Sequence, residues 1–255
     1  MARKKGGAQH IKRLRVDILP QPNDTTCGPT CLHAVYRYYD DHVKLKDLIK
    51  DMETLADGGT LAVFLACHAL SRGYKARIYT NNLGVFDPTW FKEGRSSGNI
   101  LQGRLREQMA AKNNPLIQIA TLGYLNFLSQ GGEIRFGDLS PALLRKYMGR
   151  AQPIIAGLSS TFLYQSAREI AETNEPDDIA GVPCGHFVVL CGYDQRNRDI
   201  LVADPYHANP VAEGQYYQVS EERLIASVLL GILTHDANLL VIDPPQKGPP
   251  SSWKR

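Results

Sequence analysis

Apolar residues at Cys31, Leu32, Val35, Tyr36 and Tyr39 recur at the spacing of one helix face, so residues 27–40 are predicted as a buried helix. Pro29 falls in its first turn, where a missing N–H costs nothing. Residues 44–55 and 60–72 read as two more helices, and Gly73 stops the second. Residues 74–80 alternate as a strand does. Helices at 100–112 and 115–129 are separated by Asn113-Asn114-Pro115, and residues 141–149 form a short helix with Ser140 as N-cap.

The last hundred residues change character. Segments 153–158, 186–193, 199–203, 215–219 and 239–242 are rich in Val, Ile, Leu and Tyr and are predicted as strands, interrupted by a helix over 220–233. Residues 173–185 are polar, with two prolines, and read as a surface loop. Helices first and strands later is the α+β pattern: a helical lobe packed on an antiparallel sheet. No linker separates the halves, so one domain is expected over 14–244, with an inserted helical segment around 80–135 as a lid or cleft wall. Residues 1–13 and 245–255 are expected as flexible tails, the first basic and the second rich in Pro, Gly and Ser.

Composition narrows the possibilities. The chain has 255 residues, 43% hydrophobic and 22% charged, which excludes disordered, collagenous and coiled-coil classes. Lys and Arg number 29 against 26 acids, a net charge of +3, too even to point to nucleic acid. The apolar stretches at 61–67 and 187–191 are far shorter than the roughly 18 residues of a membrane span. No apolar run follows the basic N-terminus, so it is not read as an export signal. Five cysteines, an odd number, then read as reduced thiols in a cytoplasmic protein. Neither a membrane nor a nucleic-acid partner is expected, and no pattern fixes an oligomeric state.

One segment carries chemistry: Gln21-Pro22-Asn23-Asp24-Thr25-Thr26-Cys27-Gly28-Pro29-Thr30-Cys31. It sets Cys27 at the start of a predicted helix, where unpaired N–H groups and the helix dipole favour an anion. Anionic sulfur is the form that attacks carbonyls. Gly28 allows close approach beside the sulfur, and Gln21, six residues upstream, carries an amide able to donate to an oxyanion. On this segment alone, a buried cysteine beside a surface glutamine explains the residues equally well.

A nucleophilic cysteine needs a base, and His186 is the candidate. Strands 186–193 and 199–204 form a predicted hairpin around residues 194–198. A turn centred near 195 or 196 puts residue 186 across from 204, within about one position, and residue 204 is Asp. Opposite residues of an antiparallel pair share a face with Cβ atoms about 5 Å apart. An imidazole beside a carboxylate is the base and orienter that nucleophilic catalysis uses. His33 points away from Cys27 on the same helix, and His68 fits a core position. A zinc site from Cys27, Cys31, Cys184 and His186 is the rival, but its spacing is unlike a zinc knuckle and leaves Gln21 and Asp204 unused. No metal or other cofactor is therefore expected, and with no C-x-x-C a thioredoxin-type role is set aside.

Gln21 six before Cys27, Cys27-Gly28-Pro29-Thr30-Cys31, Gly185-His186-Phe187-Val188-Val189 and Asp204-Pro205 together resemble papain-like cysteine peptidases, most closely the C39 peptidase family and its stand-alone relatives. The resemblance covers roughly residues 14–40 and 183–206. It implies a papain-like fold with an N-terminal Cys helix, Cys27 as nucleophile, His186 as base, Asp204 as its orienter and Gln21 in the oxyanion hole. It implies a peptide or amide-containing substrate cleaved through a thioester. An acyltransferase of the same fold, passing the acyl group to an amine, and a non-catalytic peptide-binding module are the alternatives. Cleavage of Gly-Gly leaders, known for exporter-linked C39 domains, is not carried over.

Overall fold

In the computed structural model, which describes residues 11–55 and 58–245, eight strands join into one sheet. They are β1 (Ile11–Arg13), β2 (Lys75–Thr80), β3 (Glu133–Phe136), β4 (Ile154–Ser159), β5 (Gly185–Asp194), β6 (Asp199–Ala203), β7 (Tyr216–Ser220) and β8 (Asn238–Asp243). Their spatial order is β3-β2-β8-β4-β5-β6-β7, with β1 on β5. Neighbours are antiparallel except β2 and β3, which run parallel. The fold is therefore α+β, with one departure from the predicted all-antiparallel sheet. Parallel neighbours need a long crossover, and the helices between β2 and β3 supply it.

The helices are α1 (Cys27–Tyr38), α2 (Leu45–Asp51), α3 (Ala62–Ser71), α4 (Gly98–Ala111), α5 (Pro115–Ser129), α6 (Pro141–Gly149), α7 (Ser160–Tyr164) and α8 (Glu221–Leu230). Their ends follow local chemistry. The Asn114 side chain accepts the amides of Leu116 and Ile117, with Pro115 at the first helical position. Ser140 caps α6 through Leu143 N–H, and Ser220 caps α8 through Arg223 N–H. Gly73, at φ +83°, ends the turn after α3 in a conformation that favours glycine. α2 is shorter than predicted because the chain turns extended at Met52. α8 continues as a 3-10 turn over Gly231–Thr234.

One expectation changes. Ile11–Arg13, assigned to the basic tail, pair with β5 at Gly192 to Asp194, an edge that β4 leaves open. Residues 1–10 and 246–255 of the two expected tails lie outside the described residues. The two halves share one sheet: β2, from the helical half, pairs with β8 near the end of the chain. Every residue of β4 is buried, so both faces of the sheet are covered at its middle. The segment around 80–135 packs α5 against α3: a Cβ on Gly123 would lie 2.8 Å from the Phe64 ring, a separation only glycine permits.

Candidate active site

Cys27 is the first residue of α1 and is 9% exposed. The loop before it is wound tightly. Thr26 N–H and its hydroxyl both donate to the Asn23 carbonyl, and Asn23 Oδ1 accepts Thr25 N–H. With the Thr26 hydroxyl so engaged, no side chain caps α1, and its first amides stay oriented beside the sulfur. A Cβ on Gly28 would sit 2.6 Å from Thr60 Cγ2 and 3.2 Å from the Phe187 ring, so glycine lets α1 close onto β5. One turn on, Cys31 is fully buried and donates to the Phe187 carbonyl at 3.2 Å, a core role.

His186 Nε2 and Asp204 Oδ1 are 2.8 Å apart. The register that brings them together differs from the predicted one. Asp194 pairs with Asp199, which centres the turn near 196–197. Continued unbroken, that register would set Asp204 on the opposite face from His186. The pairing shifts between Leu190 and Gly192, so Cys191 is an extra residue, a β-bulge. Beyond it Val189 pairs with Ala203, and one step further Asp204 lies across from Val188. Val188 and His186 share a face, so Asp204 is diagonal to His186, two positions from the predicted pairing.

The Asp204 carboxylate is fully buried and receives four donors. Oδ1 takes His186 and the Tyr206 amide at 2.8 Å, and Oδ2 takes the hydroxyls of Tyr164 at 2.8 Å and Tyr217 at 2.7 Å. Burial pushes its pKa up, but His186 and these hydrogen bonds overcome that and hold it below the usual value. The tyrosine hydroxyls respond oppositely: burial first, then the Asp204 charge, drives both pKa values far up, so they remain donors.

His186 contacts Cys27 as well as Asp204. Its side chain is 8% exposed, and burial, the largest single influence, lowers its pKa. The Asp204 charge and hydrogen bond, joined by the hydrogen bond and charge of Cys27, outweigh burial and raise it to about 10. Since Nε2 is committed to Asp204, Nδ1 is the ring nitrogen left for the sulfur. Tyr164 and Tyr206 flank the imidazole, with ring centroids 6.0 and 6.4 Å away.

Cys27 and His186 line a cleft of about 590 Å³, together with Thr25, Thr60, Asn174, Val182 and Leu233. No residue of the segment 80–135 lines it. Gln21 is tied to the other end of the site: its backbone N–H donates to the Pro205 carbonyl at 2.9 Å. Its Nε2 gives one hydrogen to the Asn23 carbonyl at 3.0 Å, and its Oε1 is buried without a partner among the described residues. The Cys184 sulfur donates to the Val182 carbonyl at 3.8 Å. Among the described residues no three His, Cys, Asp or Glu side chains group as metal ligands, and no helix is long and apolar enough to cross a membrane.

Sequence reasoning missed Tyr164, Tyr206, Tyr217 and Asp236. The Tyr206 contact had a signal, since Asp204-Pro205-Tyr206 is the spacing at which an Asp side chain accepts the amide two residues on. Tyr217 lies across from Val202, diagonal to Asp204 on the other strand. Asp236, which also lines the cleft, caps α3 from a distant segment: Oδ2 accepts the Ala62 amide at 2.9 Å and Oδ1 the Asn238 amide. Its burial raises its pKa to about 7, against the lowering pull of those two bonds.

No protein-family model and no curated protein matches the sequence. Solved structures to which the chain is similar include peptidases, of the C39 kind and of the wider cysteine-protease class. One is the peptidase domain of ComA from Streptococcus, a bi-functional ABC transporter of a quorum-sensing pathway. It is 14% identical over 90% of this chain and 98% of that one, with a TM-score of 0.45. Another is a double-glycine-motif protease of an AMS/PCAT transporter solved with its leader peptide, 17% identical over 91% and 94%, TM-score 0.43. A third is xylellain, a cysteine protease from Xylella fastidiosa, 14% identical over 91% and 85%, TM-score 0.44.

Proposed function

We propose that this chain is a cysteine-dependent hydrolase that cleaves a peptide or amide bond through a thioester on Cys27. The observation that carries the reading is the imidazole of His186, in contact with Cys27 on one side and with buried Asp204 on the other, at a cleft wall. A binding module has no use for that alignment.

His186 takes the Cys27 proton at Nδ1, and the sulfur attacks the carbonyl carbon. The oxyanion forms against the uncapped start of α1, where the Cys27 amide donates to it. Gln21 is the second donor, through the Nε2 hydrogen not given to Asn23. The imidazolium returns its proton to the leaving amine as the C–N bond breaks, and the acyl group stays on sulfur. Water, deprotonated by His186, then attacks the thioester and releases the acid with the free thiol. Asp204 holds the ring orientation and the positive charge throughout. The five unpaired cysteines fit a reducing, cytoplasmic setting.

Limited iodoacetamide labelling near neutral pH, followed by peptide mapping, tests the nucleophile. Burial first raises the thiol pKa of Cys184 to about 11 and of Cys67 and Cys191 to about 12, and that of Cys31 well above its usual value. Labelling is therefore expected at Cys27, and equal slow labelling of all five overturns the reading. A peptide library read by mass spectrometry, with Cys27→Ala as control, gives the substrate. Product masses tell water from an amine as the acceptor.

A further inference from the structure

A second cavity, of about 460 Å³, opens where β2, β3 and the start of α4 meet, and it shares no residue with the Cys27 cleft. Lys75, Arg77 and Arg135 line it with Ser96, Gly98 and Gly132. Arg95, outside the lining, stands close enough to Arg135 for its charge to act there. Burial, then the charges of Arg95 and Arg77, lowers the Arg135 pKa, the mark of cations held together. Two carboxylates are present: Glu133 bonds both Arg77 and Arg135, and Asp243 takes the Gln152 amide. Lys75, Arg77, Arg95 and Arg135 against Glu133 and Asp243 leave an excess of two positive charges.

Two further features point to a ligand. The Ser96 hydroxyl oxygen is buried at this cavity with no hydrogen-bond partner among the described residues. The 14-residue helix α4 starts at the cavity with Gly98, where an added Cβ would meet nothing within 4 Å. Leu101 and Leu128 supply an apolar wall.

We propose that this cavity binds a phosphorylated small molecule. A phosphate carries close to two negative charges, which matches the excess of cations. Guanidinium forks bond phosphate oxygens in pairs, and a helix N-terminus offers free amides to the same group. Arg135 and Arg77 hold the phosphate with the Ser96 hydroxyl and the first amides of α4, and the organic part lies against Leu101 and Leu128.

Calorimetric titration of the full chain with ribose 5-phosphate, against ribose at the same ionic strength, tests this. Saturable binding of the phosphate ester alone is expected, weakened at least tenfold in Arg135→Gln and in Lys75→Gln. Gly98→Asp sets a carboxylate where the phosphate binds, in a first helical turn that favours acids, so binding is lost while the melting temperature holds or rises. Equal heats from ribose, or undiminished binding in Gly98→Asp, overturn the proposal.

Discussion

Asp204 reaches His186 across two register positions, and the 2.8 Å contact exists because Cys191 is one residue too many in β5. Without that bulge the carboxylate would project from the other face of the sheet. Asp204→Asn keeps the shape and removes the charge. It is expected to leave the fold intact and to lower the hydrolytic rate by roughly 10²–10⁴, as loss of the orienting carboxylate does in other nucleophile–His–Asp sites. Steady-state kinetics on the library-selected peptide check this, with circular dichroism as the folding control.

The imidazole pKa of about 10 has its sources in Asp204 and Cys27 working against burial. Removing Cys27 takes away one hydrogen bond and one charge, so Cys27→Ala should titrate His186 lower than wild type. Nitrogen-15 chemical shifts of the ring, followed from pH 5 to 11, report this directly. The stability consequence has a definite sign. A histidine raised from 6.5 to about 10 contributes fully below pH 6.5 and loses that contribution as the pH climbs toward 10. Asp204, depressed below 3.8, contributes above that value and loses its share as the pH falls through its own lowered pKa.

Tyr217 donates to Asp204 Oδ2 from a buried position. Tyr217→Phe removes one donor and leaves Tyr164, the Tyr206 amide and His186 in place. A hydrogen bond to a charged group is worth about 1.5–3 kcal/mol, so denaturant unfolding at pH 7 should show a loss of that order. The stability of Tyr217→Phe should also begin to fall at a higher pH on acidification, because Asp204 has lost a bond that favours its charged form.

Gly28 separates packing from chemistry. The nearest obstacle to a methyl group there is Thr60 Cγ2, followed by the Phe187 ring beside His186. Gly28→Ala is expected to cost about 1–3 kcal/mol through overpacking. Because the displaced ring adjoins His186 in sequence, turnover should fall as well. The double variant Gly28→Ala/Thr60→Ser removes the nearest obstacle and should recover most of the lost stability.

What could be read in advance follows from the range of each signal. The helix at Cys27, the cap at Ser140, and the strands carrying His186 and Asp204 are written in local pattern. The face shared by His186 and Asp204 was legible, but their register was not, because Gly192 hints at a bulge in the strand without fixing which residue is the extra one. β3 and α7, of four and five residues, are too short for periodicity to mark. The tyrosine donors come from α7 and β7, and only tertiary packing delivers them to Asp204. Asp236 is the extreme case, a residue that caps α3 from 174 positions away.

Asp236 also yields the sharpest test of pH and stability. Burial, the largest influence, lifts its pKa from 3.8 to about 7 against two hydrogen bonds that pull it down. An acid raised by folding binds more protons folded than unfolded between those values. Its contribution is therefore greatest below pH 3.8 and is lost as the pH rises through about 7. Asp236→Asn removes that dependence. The new amide oxygen still accepts from Ala62, and once the Asn238 amide flips, the new amide nitrogen donates to its Oδ1, which is buried without a partner among the described residues. The variant should match wild type near pH 4 and exceed it by on the order of 2–4 kcal/mol at pH 8. Urea unfolding at the two pH values decides it: an equal difference at both would mean that Asp236 is ionised throughout and that its amide partners, not burial, set its charge.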